Sequence, residues 1–181
     1  EELLKDRRGN LTLTNINGLC RIALDKLKKT YEQDIQEKNI RIVFDNLTLS
    51  LMMEVNVEQF SKVLAGILKN SMYALLKKSE TVTFSPEIFL GLKVNKDMLE
   101  ITIRDNGSGI DENIKDKIFA PFFTTKTTGE AAGVGLYLCR EIVQNHRGTI
   151  EVESKKGEYT QFLITIPVYQ PKTITPPKEE E

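Results

Sequence analysis

Asp105-Asn106-Gly107-Ser108-Gly109-Ile110 sets a carboxylate just ahead of two residues that have no side chain. Downstream, Gly133-Val134-Gly135-Leu136 places glycines at the entry to a helical pattern, and between the two lies Phe119-Ala120-Pro121-Phe122-Phe123-Thr124-Thr125-Lys126. An ionised Asp105 can accept a hydrogen bond from the exocyclic amine of adenine, whereas guanine offers a carbonyl there and is repelled. Gly107 and Gly109 let backbone approach a flat ring and turn with positive φ. Gly133 and Gly135 resemble a phosphate cradle, because N–H groups at a helix start point outward and carry partial positive charge. Lys126 can reach terminal phosphates as a point charge. Upstream, Asn70 lies in Leu68-Lys69-Asn70-Ser71 on the inner side of an amphipathic helix, where its carbonyl oxygen suits the hard cation Mg²⁺. Together these groups describe a site for ATP with Mg²⁺.

Each motif also has a plainer explanation. Asp-Asn-Gly makes a tight turn by itself, a helical Asn can bond to nearby backbone, and Lys126 can be a solvated surface lysine. A calcium loop is disfavoured, since Gly107 and Gly109 stand where oxygen ligands would be needed.

The elements that must position these residues follow from periodicity. Leu11–Thr14 alternates as a short strand. Ile16, Leu19, Cys20, Ala23, Leu24, Leu27 and Tyr31 recur at helical spacing, with Asn15 or Asn17 as the cap. Ile40–Phe44 is a strand and Leu49–Val55 a second extended piece. A long helix runs from Val57 to Lys77 with Phe60, Val63, Leu64, Ile67, Leu68, Ser71 and Leu75 inward. Ile88–Val94 and Leu99–Ile103 are strands joined at Asn95-Lys96-Asp97. Residues 110–119 are loop and a short helix, and 124–132 lack periodicity and are expected to be mobile. Gly135–Asn145 is a helix with Leu138, Ile142 and Val143 inward, and Thr149–Val152 with Thr160–Ile166 form a closing hairpin. This order predicts an α+β fold, a two-layer sandwich of a mixed, mostly antiparallel sheet covered on one face by three helices.

Composition bounds the rest. A chain of 181 residues with 40% hydrophobic and 28% charged residues is one globular domain with tails. A net charge of −1 gives no electrostatic case for nucleic acid. No apolar run reaches the roughly 18–20 residues of a membrane span, so no membrane contact by this chain is expected. Cys20 and Cys139 fall among apolar residues of helices and are expected to be reduced core thiols, which points to a reducing, cytoplasmic setting even for a membrane-anchored parent. The chain starts at Glu1 and is expected to be part of a longer protein. Residues 169–181, rich in Pro, Lys and Glu, are expected to be a disordered tail or linker.

In this order and spacing the four segments resemble the catalytic and ATP-binding domain of sensor histidine kinases, within the Bergerat-fold family that also includes gyrase, Hsp90 and MutL ATPases. The likeness covers residues 11–168. It implies that Gln59–Leu75 is the N box, with Asn70 as magnesium ligand and Ala74 beside the nucleotide. It makes Asp105–Ile110 the first glycine box, contributing Asp105, Gly107, Gly109 and Ile110. Ile118–Lys126 is similar to the phenylalanine box of nitrogen- and sporulation-type two-component kinases, implying roles for Phe119, Thr125 and Lys126. Gly133, Val134, Gly135 and Leu136 stand as the second glycine box, and Thr160 on the closing strand would sit near adenine. Residues 1–10 would be the tail of an upstream dimerisation helix.

The resemblance implies transfer of the γ-phosphoryl group to a histidine on a dimerisation domain outside this chain, in a homodimeric parent, and relay to an aspartate of a response-regulator receiver domain. The hydrolysing members of the family carry a Glu four residues before the N-box Asn, and here that position is Gly66. His146, the only histidine, stands at a helix stop ahead of Gly148 and is expected to be structural. Ala131-Ala132 replaces the family's usual Gly-Thr. Two alternatives therefore stand beside the kinase: an ATPase or serine kinase of the same superfamily, and a non-catalytic docking module with a degenerate lid.

Overall fold

The computed structural model describes residues 10–121, 123 and 134–168. In chain order the elements are β1 (Thr12–Asn15), α1 (Ile16–Thr30), α2 (Glu32–Lys38), β2 (Arg41–Asp45), β3 (Met52–Val55), α3 (Val57–Ser79), β4 (Glu87–Asn95), β5 (Met98–Asp105), α4 (Val134–Asn145), β6 (Thr149–Lys155) and β7 (Tyr159–Pro167), with one 3-10 turn at Lys115–Lys117. Five strands form one sheet in the order β2-β4-β5-β7-β6, antiparallel throughout except for the parallel β2–β4 pair. β1 and β3 form a separate two-stranded antiparallel ribbon.

The strands alternate because one face is covered. Ile88, Leu90, Leu99, Ile101, Ile103, Phe162, Ile164 and Ile166 point inward and are buried, while their neighbours along each strand face outward. α3 and α4 lie on that inner face, and α1 packs beside α3. This is the expected two-layer α+β sandwich. The inward stripe of α3 is buried at every predicted position. Asn56 caps α3 by accepting from the Gln59 N–H at 3.0 Å, and Asn15 caps α1 by accepting from Gly18. Asn17, the other candidate cap, is instead buried and ties α1 to the loop before β3, accepting from the Leu51 N–H at 2.9 Å.

The structure corrects one face and adds one element. Leu138 is exposed (46%) rather than inward, and Cys139 takes the buried position with Ile142, Val143 and His146. α2 was not expected; it buries no residue, so it has no apolar stripe to betray it. Cys20 and Cys139 are both free and buried, and burial pushes each thiol up to about 12. Among the described residues no helix is long and apolar enough to cross a membrane.

Candidate functional site

Three pieces of chain converge at the end of the central strand β5. Asp105 is its last residue and is 2% exposed. One carboxylate oxygen accepts from the Gly107 N–H at 2.8 Å. Burial pushes this carboxyl up to about 7, against the opposing pull of the Gly107 N–H, the nearby Ser71 hydroxyl and the charges of Lys78 and Arg104. Ser71 lies on α3, 1% exposed, with its hydroxyl against the carboxylate, where it favours the ionised form.

The loop after Asp105 is pinned from both sides. On one side the Ser108 N–H donates to the Ala74 carbonyl of α3 at 3.1 Å, and the Lys78 ammonium donates to the Asn106 carbonyl at 2.9 Å. A Cβ on Gly107 would come within 2.6 Å of the Ala74 backbone, so only glycine fits. On the other side the loop meets the β6–β7 turn, where the Gly157 N–H donates to the Ser108 carbonyl at 2.6 Å. Gly109 has φ +66°, and a Cβ there would stand 2.2 Å from the Lys155 carbonyl oxygen. Asn106 adds two bonds to the strand entrance: its side chain accepts from the Glu87 N–H and donates to the Ser85 carbonyl, each at 2.8 Å. An ion pair between Lys156 and Asp111, 2.9 Å, closes the outer edge.

The predicted residues group as follows. Asp105, Gly107, Gly109, Ile110, Ala74 and Thr160 come together. Asp105 pairs with Thr160 across β5–β7, and Ile110 donates its N–H to Ser154 of β6 at 2.8 Å. Asn70 is half-buried on α3, one helical turn before Ala74 and hence toward the same loop. Phe119 stacks edge-on against Phe162, centroids 6.3 Å apart, under the Arg140 guanidinium of α4. Phe162 is two residues beyond Thr160, so Phe119 borders the same region of β7. α4 begins at Val134, Gly135 has open space around it, and Leu136 packs partly against the core. Thr125, Lys126 and Gly133 lie outside the described residues, as do Ala131-Ala132 and the 124–132 segment expected to be mobile.

Sequence reasoning missed Ser71 in its polar role, Lys78, Asn106 as a latch, and Ser154. Ser71 was legible only as a small residue in an apolar stripe. Ser154 falls beyond the point where the alternation of β6 was read to end.

His146 is 0% exposed. Its Nε2 accepts from the Asn56 N–H at 3.1 Å, so Nδ1 carries the proton and donates to the Ile142 carbonyl at 2.8 Å. Phe60 packs edge-on against the ring. The imidazole is a buried structural clamp between α3 and α4. A groove of about 210 Å³ between α1 and α3, lined by Leu19, Ile22, Ala23 and Leu68 among others, shares no residue with the site.

A family profile described as "Histidine kinase-, DNA gyrase B-, and HSP90-like ATPase" matches residues 56–170. Among curated proteins, the chain is 35% identical over 149 residues to cyanobacterial phytochrome A of Nostoc, covering 81% of this chain and 18% of that protein. It is 28% identical over 167 residues to the sensor histidine kinase ZraS of Salmonella typhi, covering 92% and 33%, and 35% identical over 113 residues to sporulation kinase E of Bacillus subtilis, covering 62% and 14%. The chain thus spans a third or less of the length of these relatives. Among solved structures, the catalytic domain of histidine kinase ThkA superposes with a TM-score of 0.71 at 28% identity, covering 87% of this chain and 95% of that one. The profile takes in α3, the Asp105 loop, α4 and the β6–β7 hairpin, and so every element of the site: the chain belongs to the histidine kinase-, gyrase B- and HSP90-like ATPase family.

Proposed function

We propose that residues 11–168 are the ATP-binding catalytic domain of a two-component sensor kinase, which binds Mg-ATP and passes the γ-phosphoryl group to a histidine on a dimerisation domain. A receiver-domain aspartate of a response regulator then takes it. Residues 1–10 would end the dimerisation helix and 169–181 would be a linker, in a homodimeric cytoplasmic portion of the parent.

The observation that carries this reading is the buried Asp105 carboxylate, held at the end of β5 by a loop that admits only glycine at two places. A buried carboxylate costs free energy unless a donor reaches it, and one oxygen here has only the Gly107 N–H. The adenine amine supplies the missing donor. The buried Ser71 hydroxyl beside it helps to hold the carboxylate in its ionised form.

Asn70 offers a single amide oxygen, which suits Mg²⁺ whose other positions are filled by phosphate oxygens and water. When bound, the metal neutralises phosphate charge; Lys126 and the N–H groups of Gly133, Val134 and Gly135 would share that work. The protein acts by positioning and charge, not covalently.

Gly66 favours phosphoryl transfer over hydrolysis. It packs against α4, where a Cβ would come 3.2 Å from the Cys139 sulfur, and offers no carboxylate to orient water. The docking-module alternative rests on Ala131-Ala132.

Calorimetric titration with Mg-ATP tests the proposal. Wild type is expected to bind, Asp105→Asn to bind on the order of tenfold or more weakly, and Asn70→Ala to lose its dependence on magnesium. Unchanged nucleotide affinity in Asp105→Asn sinks the assignment, and no binding by wild type favours the docking module.

A further inference from the structure

Asp105, Thr160 and Ser154 form one rung across three strands: Asp105 pairs with Thr160 on β5–β7, and Thr160 with Ser154 on β7–β6. All three are buried, at 2%, 4% and 9% exposure. Ser154 Oγ has three partners. It lies 2.7 Å from the Tyr159 carbonyl, which can only accept, so the Ser154 proton goes there. It receives the Ile110 N–H at 2.8 Å. The third contact, 2.9 Å to Thr160 Oγ1, must then be donated by Thr160. A hydroxyl has one proton and two lone pairs, and those of Ser154 are all used.

The proton of Thr160 is therefore turned toward Ser154, away from Asp105. What the sheet presents beside the carboxylate is an oxygen that accepts and does not donate. The Ser71 hydroxyl of α3, buried and set against the same carboxylate, turns its proton toward Asp105. Two acceptors, Asp105 and Thr160, match a base edge that carries an amine with two hydrogens. Hypoxanthine and guanine invert that pattern with a carbonyl and a ring N–H.

We propose that Ser154 is a positioning residue for base selectivity: by fixing the direction of the Thr160 hydroxyl it makes the site reject 6-oxopurine nucleotides, although Ser154 itself touches no nucleotide. This rests on the ATP assignment above. In Ser154→Ala the Thr160 hydroxyl is free to rotate and donate inward, where it can serve a 6-carbonyl.

The test is the ratio of dissociation constants for ATP and inosine triphosphate, both with Mg²⁺, measured by calorimetry on the whole chain. Wild type is expected to prefer ATP. Ser154→Ala should lower that preference on the order of tenfold, mainly by tightening inosine triphosphate, and Ser154→Thr should restore it. Loosening of the fold alone weakens both nucleotides and leaves the ratio where it was. Should Ser154→Ala not fold, Thr160→Val reads the same geometry: it removes the acceptor and should weaken ATP more than inosine triphosphate. A ratio unchanged from wild type in either variant that still binds ATP overturns the role of Ser154 and leaves the ATP site standing. A wild-type chain that binds neither nucleotide overturns the ATP site itself, and the selectivity device with it.

Discussion

Asp105 links stability and binding through one proton. In the folded apo protein its carboxyl is pushed up to about 7 by burial, from an ordinary 3.8. Between roughly pH 4 and 7 the folded chain keeps a proton that the unfolded chain has released, so this group's contribution to stability falls as pH rises through that window. At ~1.4 kcal/mol per unit the effect is a few kcal/mol. Asp105→Asn should raise the melting temperature of the apo protein at about pH 8 and flatten its decline over the window; thermal melts across pH check this. Nucleotide binding should run the other way. If, as proposed, the ionised carboxylate accepts from the base, ATP affinity should climb as pH rises from about 6 to 8, with proton uptake by the buffer on binding. Calorimetry in two buffers of different ionisation enthalpy would show it. The place of Asp105 at a strand end and the need for glycine at 107 and 109 were legible in the sequence, because an acidic residue followed by two glycines marks a tight loop. Ser71, Lys78 and Ser154 were not, because a serine or lysine has no signature until long-range pairing shows what it faces.

At the scale of elements, two anchors hold the layers in register. One is the loop 106–109, fastened to α3 through Ala74 and to the β6–β7 turn through Gly157. Gly109→Ala combines positive φ with a 2.2 Å clash against backbone, so the turn must move. It should lower both the melting temperature and ATP affinity, and paired melts with and without nucleotide would detect this. The other anchor is His146, which joins the end of α4 to the N-cap of α3. His146→Leu strands a buried N–H and should cost about 2–4 kcal/mol, measured by urea unfolding, with no loss of a phosphorylation site. The main helices were readable because their apolar residues recur with helical period. The exchange of Leu138 for Cys139 arose because both fit a stripe through Ile142 and Val143; only the close approach of Gly66 on α3 selects the thiol. The separate pairing of β1 with β3 depends on contacts 40 residues apart in sequence, which periodicity cannot express.

For the molecule as a whole, the proposed function requires the phosphoryl group to be kept until an acceptor arrives. Gly66 gives water no base, so the chain alone should release phosphate slowly in the presence of Mg-ATP. Adding a dimerisation domain that carries a histidine should yield an acid-labile phosphohistidine. Brisk steady-state phosphate release by the chain alone would shift the assignment toward the hydrolysing members of the family. The two-layer architecture was legible because strands and helices alternate with distinct periods and the turns between them carry Gly, Asn and Asp. The order of strands in the sheet was not, since β7 inserts between β5 and β6, a choice made by tertiary packing.

That insertion governs when the site comes into being. β7 is the last described element to be synthesised, yet it lies against the central strand and supplies Thr160. A nascent chain that ends before Tyr159 holds the Asp105 loop and Gly157 but lacks Thr160 and the strand that pairs with β5. On the proposed function, a site able to hold nucleotide would be complete only once β7 has been made.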